Sequence, residues 1–331
     1  MTNYSLFSFK KLMFAFTICS FTLMVAVDTH ANEDFPSKPI KLVAHVGPGG
    51  AADVFARTLA RAAEPIAGQP IVVENRPGGG GAAQMAVLTS AEPDGYTLGT
   101  NTLTHLTAML TNLSGVFSPD DFSWIFESQT DSHTLIVKDD SQYASLDELV
   151  ADARSGNISL TVGGYGSAGS TQNIAMQMVA DAADITFDWI AYGSSTDAIS
   201  SMLGEHVIAV MTNPGQAVQF IEAGRARALG VLSEERNALL PEVPTFAEAG
   251  YAEANTNWQQ IRGIYGPAGI PEDVQMRIAE IFTEAMQTDE FLKYQAQAGL
   301  DSSLLGPKDY AKSISEKLEL ADRALTQAGI K

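Results

Sequence analysis

Two glycine-rich turns hold the residue types most able to do chemistry in this chain. The first lies in Leu42 to Arg57, LVAHVGPGGAADVFAR, where an apolar run breaks at Gly47-Pro48-Gly49-Gly50 and Asp53 follows. Beyond the break, Phe55, Leu59, Ala62, Ala63 and Ile66 recur with the spacing of one helical face. The stretch therefore reads as a buried strand, a turn and a helix whose N-terminus points outward. Such a terminus carries roughly half a positive charge and up to four unpaired N–H groups, so it attracts anions without a basic side chain. An ordinary tight strand-to-helix turn reads the same way, and this stretch alone leaves both open. Asp53 has the chemistry of a general base, but in a first helical turn it is more simply a dipole-stabilised carboxylate that orients the loop.

The second turn, Gly163-Gly164-Tyr165-Gly166-Ser167-Ala168-Gly169-Ser170-Thr171, contains G-x-G-x-x-G at Gly164, Gly166 and Gly169, with Asp188 19 residues further on. That is the pattern of a dinucleotide loop with a ribose-binding acid, so an exported NAD(P)-dependent oxidoreductase is the competing reading. Three features weigh against it. A secreted protein meets little soluble nicotinamide cofactor, Asp188 falls inside an apolar strand pattern, and no catalytic donor pair accompanies it. Ser167 fails as a nucleophile elbow because Tyr165 stands where that motif needs glycine. His45, His105, His133 and His206 are scattered and none has a metal-ligand spacing, so neither a catalytic residue nor a metal site is assigned. No cofactor is expected.

The elements that must position these turns follow in order. Val72-Val73 begins a second strand, four glycines (Gly78 to Gly81) precede a helix from Ala82 to Ser90, and Tyr96 to Thr100 reads as a third strand ending at Asn101. The four glycines are not a phosphate-binding P-loop, since no Lys-Ser/Thr pair follows. A second set of units runs through strands at Ile158 to Val162, Ile185 to Ala191, Val207 to Met211 and Arg227 to Leu232. Helices follow Pro271 and occupy Glu290 to Ala298 and Tyr310 to Ala328. Alternating strands and helices predict two α/β lobes with parallel sheets. Ligands in such sheets sit beyond the carboxyl ends of the strands, which brings Gly49-Gly50 and Thr100-Asn101 to one crevice.

Composition narrows the classes further. With 331 residues and 45% hydrophobic content the chain can bury two cores. Lys10-Lys11, an apolar stretch from Leu12 to Val27 and Thr29-His30-Ala31 read as a secretory leader over residues 1–31. Cleavage there would remove Cys19, the single cysteine, leaving no disulfide or thiol chemistry. Losing Lys10, Lys11 and Asp28 takes the net charge from −19 to −20. A surface this acidic argues against nucleic acid as a partner. An anionic ligand would have to be met by a local field opposing the global one.

Longer motifs then carry a resemblance. Gly49-Gly50-Ala51-Ala52-Asp53, Val73-Glu74-Asn75-Arg76-Pro77-Gly78, Pro93-Asp94-Gly95-Tyr96-Thr97-Leu98, the Gly163 to Thr171 loop, Leu240 to Thr245, Asn257-Trp258 and Gly266 to Pro271 occur in this order. The chain resembles the solute receptors of tripartite tricarboxylate transporters, the TctC or Bug family. The resemblance implies a two-lobe α/β periplasmic binding protein (a Venus flytrap) with a mostly parallel sheet in each lobe and a cleft between them. It implies a monomer that binds a small carboxylate, a di- or tricarboxylate or related organic acid, and delivers it to membrane subunits. It also implies that Gly49, Gly50, Ala51, Ala52 and Asp53 of one lobe and Ser167, Ala168, Gly169, Ser170 and Thr171 of the other grip a carboxylate through main-chain groups.

Lobe 1 is expected over 32–135 plus 255–331 and lobe 2 over 136–254, with hinges near 135 and 255. Tyr165, Tyr192 and Trp258 are candidates to enclose the ligand, and Thr100, Asn101 and Ser194 are candidate side-chain donors. Two departures stand out: Asn173 and Gln177 replace the His and Glu of many relatives. In addition, Gln259-Gln260-Ile261 separates Asn257-Trp258 from Arg262-Gly263, which relatives usually join.

Overall fold

A computed structural model describes residues 35–254, 258–327 and 329–331. The leader expected over residues 1–31 and the hinge position near 255 lie outside the described residues.

The first sheet has the order β11-β4-β10-β3-β1-β2. Its strands are β1 (Ile40–Ala44), β2 (Ile71–Asn75), β3 (Thr97–Asn101), β4 (Phe122–Asp131), β10 (Gln260–Pro267) and β11 (Asp301–Leu305). The second sheet, β7-β6-β8-β5-β9, is built from β5 (His133–Lys138), β6 (Thr161–Tyr165), β7 (Asp188–Tyr192), β8 (Ala209–Thr212) and β9 (Ala226–Leu232). Both sheets are mixed: two of the five strand pairings in the first and two of the four in the second are parallel. In the first, β1 pairs parallel with β2 and β3, whereas β10 runs antiparallel to β3 and β4. In the second, β6 pairs parallel with β7 and β8, whereas β5 runs antiparallel to β8 and β9. The expected mostly parallel sheets are corrected accordingly: the strands that return from the other lobe enter antiparallel.

Ten α-helices cover these sheets among the described residues: α1 (Ala51–Ala67), α2 (Ala82–Thr89), α3 (Leu103–Leu110), α4 (Leu146–Ser155), α5 (Thr171–Ala183), α6 (Ser195–Leu203), α7 (Pro214–Glu222), α8 (Glu272–Met286), α9 (Asp289–Ala298) and α10 (Pro307–Gln327). Strand alternation decides which face each covers. In β5, Ile136 joins Ala198, Ile199 and Met202 of α6, while Leu135 and Val137 face α4 and α5. In β10, Ile264 packs with Phe55, Leu59 and Phe282 under α1 and α8, and Tyr265 turns to the opposite face with Met85, Trp124 and Tyr310. That second cluster continues through Trp258 and Leu325 into α5 and so joins the two lobes. No described helix is long and apolar enough to cross a membrane.

The chain changes sheets at Ser132, between β4 and β5, and again between β9 and β10. His133 to Leu135, which the sequence places in the first lobe, pair with Val231 and its neighbours in the second sheet. The β4-to-β5 crossing thus falls three residues before the expected position.

Candidate functional site

Strands β1 and β6 each end in a turn with the same backbone plan. Gly49 has φ +81° and Gly169 φ +83°, a left-handed conformation that costs other residues about 1–2 kcal/mol. The next residues, Gly50 and Ser170, are extended N-caps at φ/ψ −69°/158° and −66°/162°. A side chain three residues into the helix then reaches back to the glycine amide: Gly49 N–H donates to Asp53 Oδ2 at 2.8 Å, and Gly169 N–H donates to Asn173 Oδ1 at 2.8 Å. Each reach-back fixes the turn and leaves the next amides pointing out. The N–H groups of Ala51 and Ala52, and of Thr171 and Gln172, have no hydrogen-bond partner among the described residues.

Asp53 is buried and serves as the centre of the first turn. Beside the Gly49 amide it accepts from Asn75 Nδ2 at 2.8 Å and pairs with Arg57 Nε at 3.0 Å. Burial raises its pKa, but Arg57, the Gly49 amide and Asn75 outweigh it, so the carboxyl is held below its ordinary value. The carboxylate is thereby fully committed to structure.

The second turn is held by Gln172. Its Oε1 accepts from Tyr165 N–H at 2.7 Å, and its Nε2 donates to Ser195 Oγ and Asn213 Oδ1, both at 3.2 Å. Asn213 in turn donates to the carbonyl of Ser132, where the chain crosses between sheets, at 2.9 Å. Trp189 Nε1–H donates to Gly166 O at 3.0 Å.

Both turns open on one cleft of about 680 Å³ between the lobes. Ala51 and Val54 of α1, Thr104 and Thr107 of α3, and Tyr294 and Gln297 of α9 form one wall; Tyr165, Gly166, Ser167, Ser170, Thr171 and Ser195 form the other. Asp131 at the end of β4 and Arg262 on β10 are the charged residues of its described lining. Arg262 Nη2 stands 3.7 Å from Asp131 Oδ2, and Arg262 Nη1 and Asp131 Oδ1 have no hydrogen-bond partner among the described residues. Burial pushes Asp131 up to about 6 against the opposing pull of Arg262 and Asn213.

The sequence-assigned residues divide sharply. Ala51, Tyr165, Ser167, Ser170 and Thr171 line the cleft. Gly49, Gly50, Ala52, Asp53, Ala168 and Gly169 shape the turns but lie outside that lining; Gly169 backs onto Leu325 and Ile330. Five others are placed elsewhere. Asn101 is buried with both amide atoms on the Tyr310 hydroxyl, at 2.6 and 2.9 Å. Thr100 is buried behind the cleft, its carbonyl accepting from Gln84. The Tyr192 hydroxyl shares a 2.5 Å hydrogen bond with Ser201, and Ser194 is the N-cap of α6, leaving its neighbour Ser195 to reach the cleft. Trp258 is fully buried and donates from Nε1 to Thr171 O at 2.8 Å. It supports the first residue of α5 from beneath and covers nothing in the cleft.

Two pairings escaped the sequence. His45 and His105, read as scattered, meet edge-on with ring centroids 4.4 Å apart. His105 accepts from Thr102 N–H and donates from Nε2 to Gln84 Oε1 at 2.8 Å. Burial pushes His45 down to about 4 and His105 well below the ordinary value, so both are neutral structural residues at neutral pH. No group of three or more metal-ligating side chains occurs among the described residues. The second pairing, Arg262 with Asp131, joins residues 131 positions apart. The one available signal was an arginine inside an apolar strand of an acidic chain.

The dinucleotide reading fails on register. Asp188 pairs with Thr161 at the start of β6, whereas the loop follows Tyr165, which pairs with Tyr192. At about 3.3 Å per residue, Asp188 sits some 13 Å from the loop end of the sheet. There it accepts from Ser159 Oγ at 2.7 Å.

Comparison with known proteins gives a consistent result. The profile described as "Tripartite tricarboxylate transporter family receptor" (TctC) matches residues 55–330. A "UPF0065 protein in gbd 5'region" of Cupriavidus necator is 29% identical over 310 residues, covering 93% of both chains. The crystal structure of a TctC solute binding protein from Polaromonas superposes with a TM-score of 0.80 at 22% identity, covering 88% of this chain and 99% of that one. MatC from Rhodopseudomonas palustris, solved with bound malate, superposes with a TM-score of 0.69 at 22% identity, covering 88% of this chain and all of that one.

Proposed function

The chain belongs to the TctC family of tripartite tricarboxylate transporter receptors, and on that premise we propose that it is an exported, periplasmic, non-catalytic receptor. It closes on a small organic carboxylate and presents it to the membrane subunits of such a transporter. The observation that carries this reading is the pair of stapled turns, one per lobe, with unpaired amides on one cleft. A carboxylate bridging the turns would accept from both helix N-termini. Its field there is local, so the acidic surface does not cancel it. Bound malate in MatC supports the same ligand class.

The magnitudes agree. A hydrogen bond to a charged group contributes about 1.5–3 kcal/mol. A micromolar complex requires about 8 kcal/mol net, after the costs of association and ordering. Three or four amides plus enclosure by Tyr165 and the α3 and α9 walls reach that range. Closure swings the lobes about the crossing at Ser132 and the segment between β9 and β10.

Thermal-shift screening of the mature protein against mono-, di- and tricarboxylates tests the proposal. A selective ligand at a hundredfold its Kd adds about 2.7 kcal/mol of stability, seen as a rise of several degrees in Tm. In Gly50→Val the φ of −69° is allowed, but its Cβ would press on Val46 at 3.1 Å and on the Gly47 carbonyl at 3.3 Å, so the variant should fold with a displaced turn and lose the response. Silence toward every carboxylate together with a response to NAD(P) would overturn the reading.

A further inference from the structure

The floor of the cleft is a charge pair that neither partner completes. Arg262 rises from the central strand β10 and Asp131 ends β4, and at 3.7 Å their contact is too long for a hydrogen bond. Both side chains are nearly nine-tenths buried, and Arg262 Nη1 and Asp131 Oδ1 have no hydrogen-bond partner among the described residues. Leaving a buried charged group unpaired is costly, and here the two residues that carry the unsatisfied donor and acceptor both line the binding cleft. A second carboxylate would satisfy Arg262 but would bring a like charge against Asp131. A group that accepts from the guanidinium and donates to the carboxylate would satisfy both.

We propose that Arg262 and Asp131 form the specificity end of the cleft, reading a distal ligand group that is neutral overall and presents an acceptor beside an N–H or O–H donor, such as a primary carboxamide. This inference rests on the reading above, in which a carboxylate at the other end of the ligand is held by the turn amides. The preferred ligand is then an acid with one free carboxylate and one polar neutral end, and an α,ω-dicarboxylate is the weaker class. Asp131 keeps its charge at slightly alkaline pH, since burial lifts it only to about 6. Asp301 on β11, itself pushed up by burial, and Tyr294 on α9 are the other titratable groups near the pair, and neither supplies a second cation.

The test is calorimetric titration of the mature wild-type protein at pH 7.5 with two matched series, the C3 to C6 α,ω-dicarboxylates and their monoamides. At least one monoamide is expected to bind tenfold or more tightly than its parent dicarboxylate. Asp131→Asn, an isosteric change that removes the opposing charge, is expected to reverse that order for the same pair. If dicarboxylates bind and no monoamide outbinds its parent, the inference falls while carboxylate reception stands. Binding only by carboxylates outside both series overturns it in the same way. If no carboxylate of any kind binds, both fall.

Discussion

In the first turn the Gly49 amide is held by an aspartate, and in the second the Gly169 amide is held by an asparagine, at the same spacing and the same 2.8 Å. The backbones are near copies, but the electrostatics are not. Asp53 puts a full negative charge under the first helix N-terminus, offset by Arg57 and Asn75. Asn173 leaves the second N-terminus with its dipole uncompensated. The difference separates two tasks that one motif can perform. On the proposed function, the first turn would be an abutment and the second would carry more of the pull on a bound anion.

Surroundings differ as well, and this gives the largest expected effect. A Cβ on Gly49 would meet nothing within 4 Å, whereas one on Gly169 would lie 2.9 Å from both Leu325 and Ile330. Gly49→Ala therefore carries only left-handed strain, about 1 kcal/mol. Gly169→Ala adds overpacking against the C-terminal segment, for a total of about 3 kcal/mol. Urea unfolding of the two variants measures the gap. Equal losses would mean that the C-terminal segment does not brace the second turn.

Acid should separate the turns next. His45, immediately before the first turn, and His105 beside it are neutral because burial holds them down. A histidine whose folded pKa lies below its unfolded value of about 6.5 stabilises the fold above that pH. The contribution is lost as pH falls from 6.5 toward about 4 for His45. At pH 5.5, opening of residues 45–53 should be easier by up to about 1.4 kcal/mol, one pH unit below 6.5. The second turn is backed by Gln172, Asn173 and Trp189, none of which titrates there. Hydrogen exchange at pH 7.5 and 5.5, corrected for intrinsic rates, should show residues 45–53 losing up to tenfold protection and residues 165–173 losing none, because Asp131, behind Asn213 and raised to about 6 by burial, titrates there in the opposite, stabilising sense. Parallel loss in both segments would remove the histidines as the cause.

How much of this was legible in the sequence follows from what each residue depends on. The turns were readable because strand, glycine and helical spacing are local. The parallel part of each sheet was readable for the same reason. Strands β10 and β11 were not: QIRGIYGP is broken by two glycines, and the exposed edge strand DSSLL is largely polar. Each owes its place to a partner more than a hundred residues away in β4. Trp258 resisted assignment because aromatic residues suit cores and ligand covers alike, and only its bond to Thr171 O decides. Arg262 and Asp131 were invisible as a pair because β10 returns to β4 only after the whole second lobe has been built.

The last and smallest difference isolates charge. Asn173→Asp keeps the acceptor for the Gly169 amide and adds a negative charge one helical turn below a bound carboxylate. In a partly solvated site such a charge is worth on the order of 1 kcal/mol, so affinity for a carboxylate should fall about fivefold with little change in Tm. Asp53→Asn keeps the acceptor for Gly49 and removes a charge that Arg57 and Asn75 already offset. Its effect on affinity should be a gain of twofold or less, accompanied by a loss of stability as those partners are left unpaired. Calorimetry on both variants with the same carboxylate reads the comparison directly. If Asp53→Asn changes affinity more than Asn173→Asp does, the first turn dominates the anion's field, and the division of labour between the turns is the reverse of the one argued from Asp53 and Asn173.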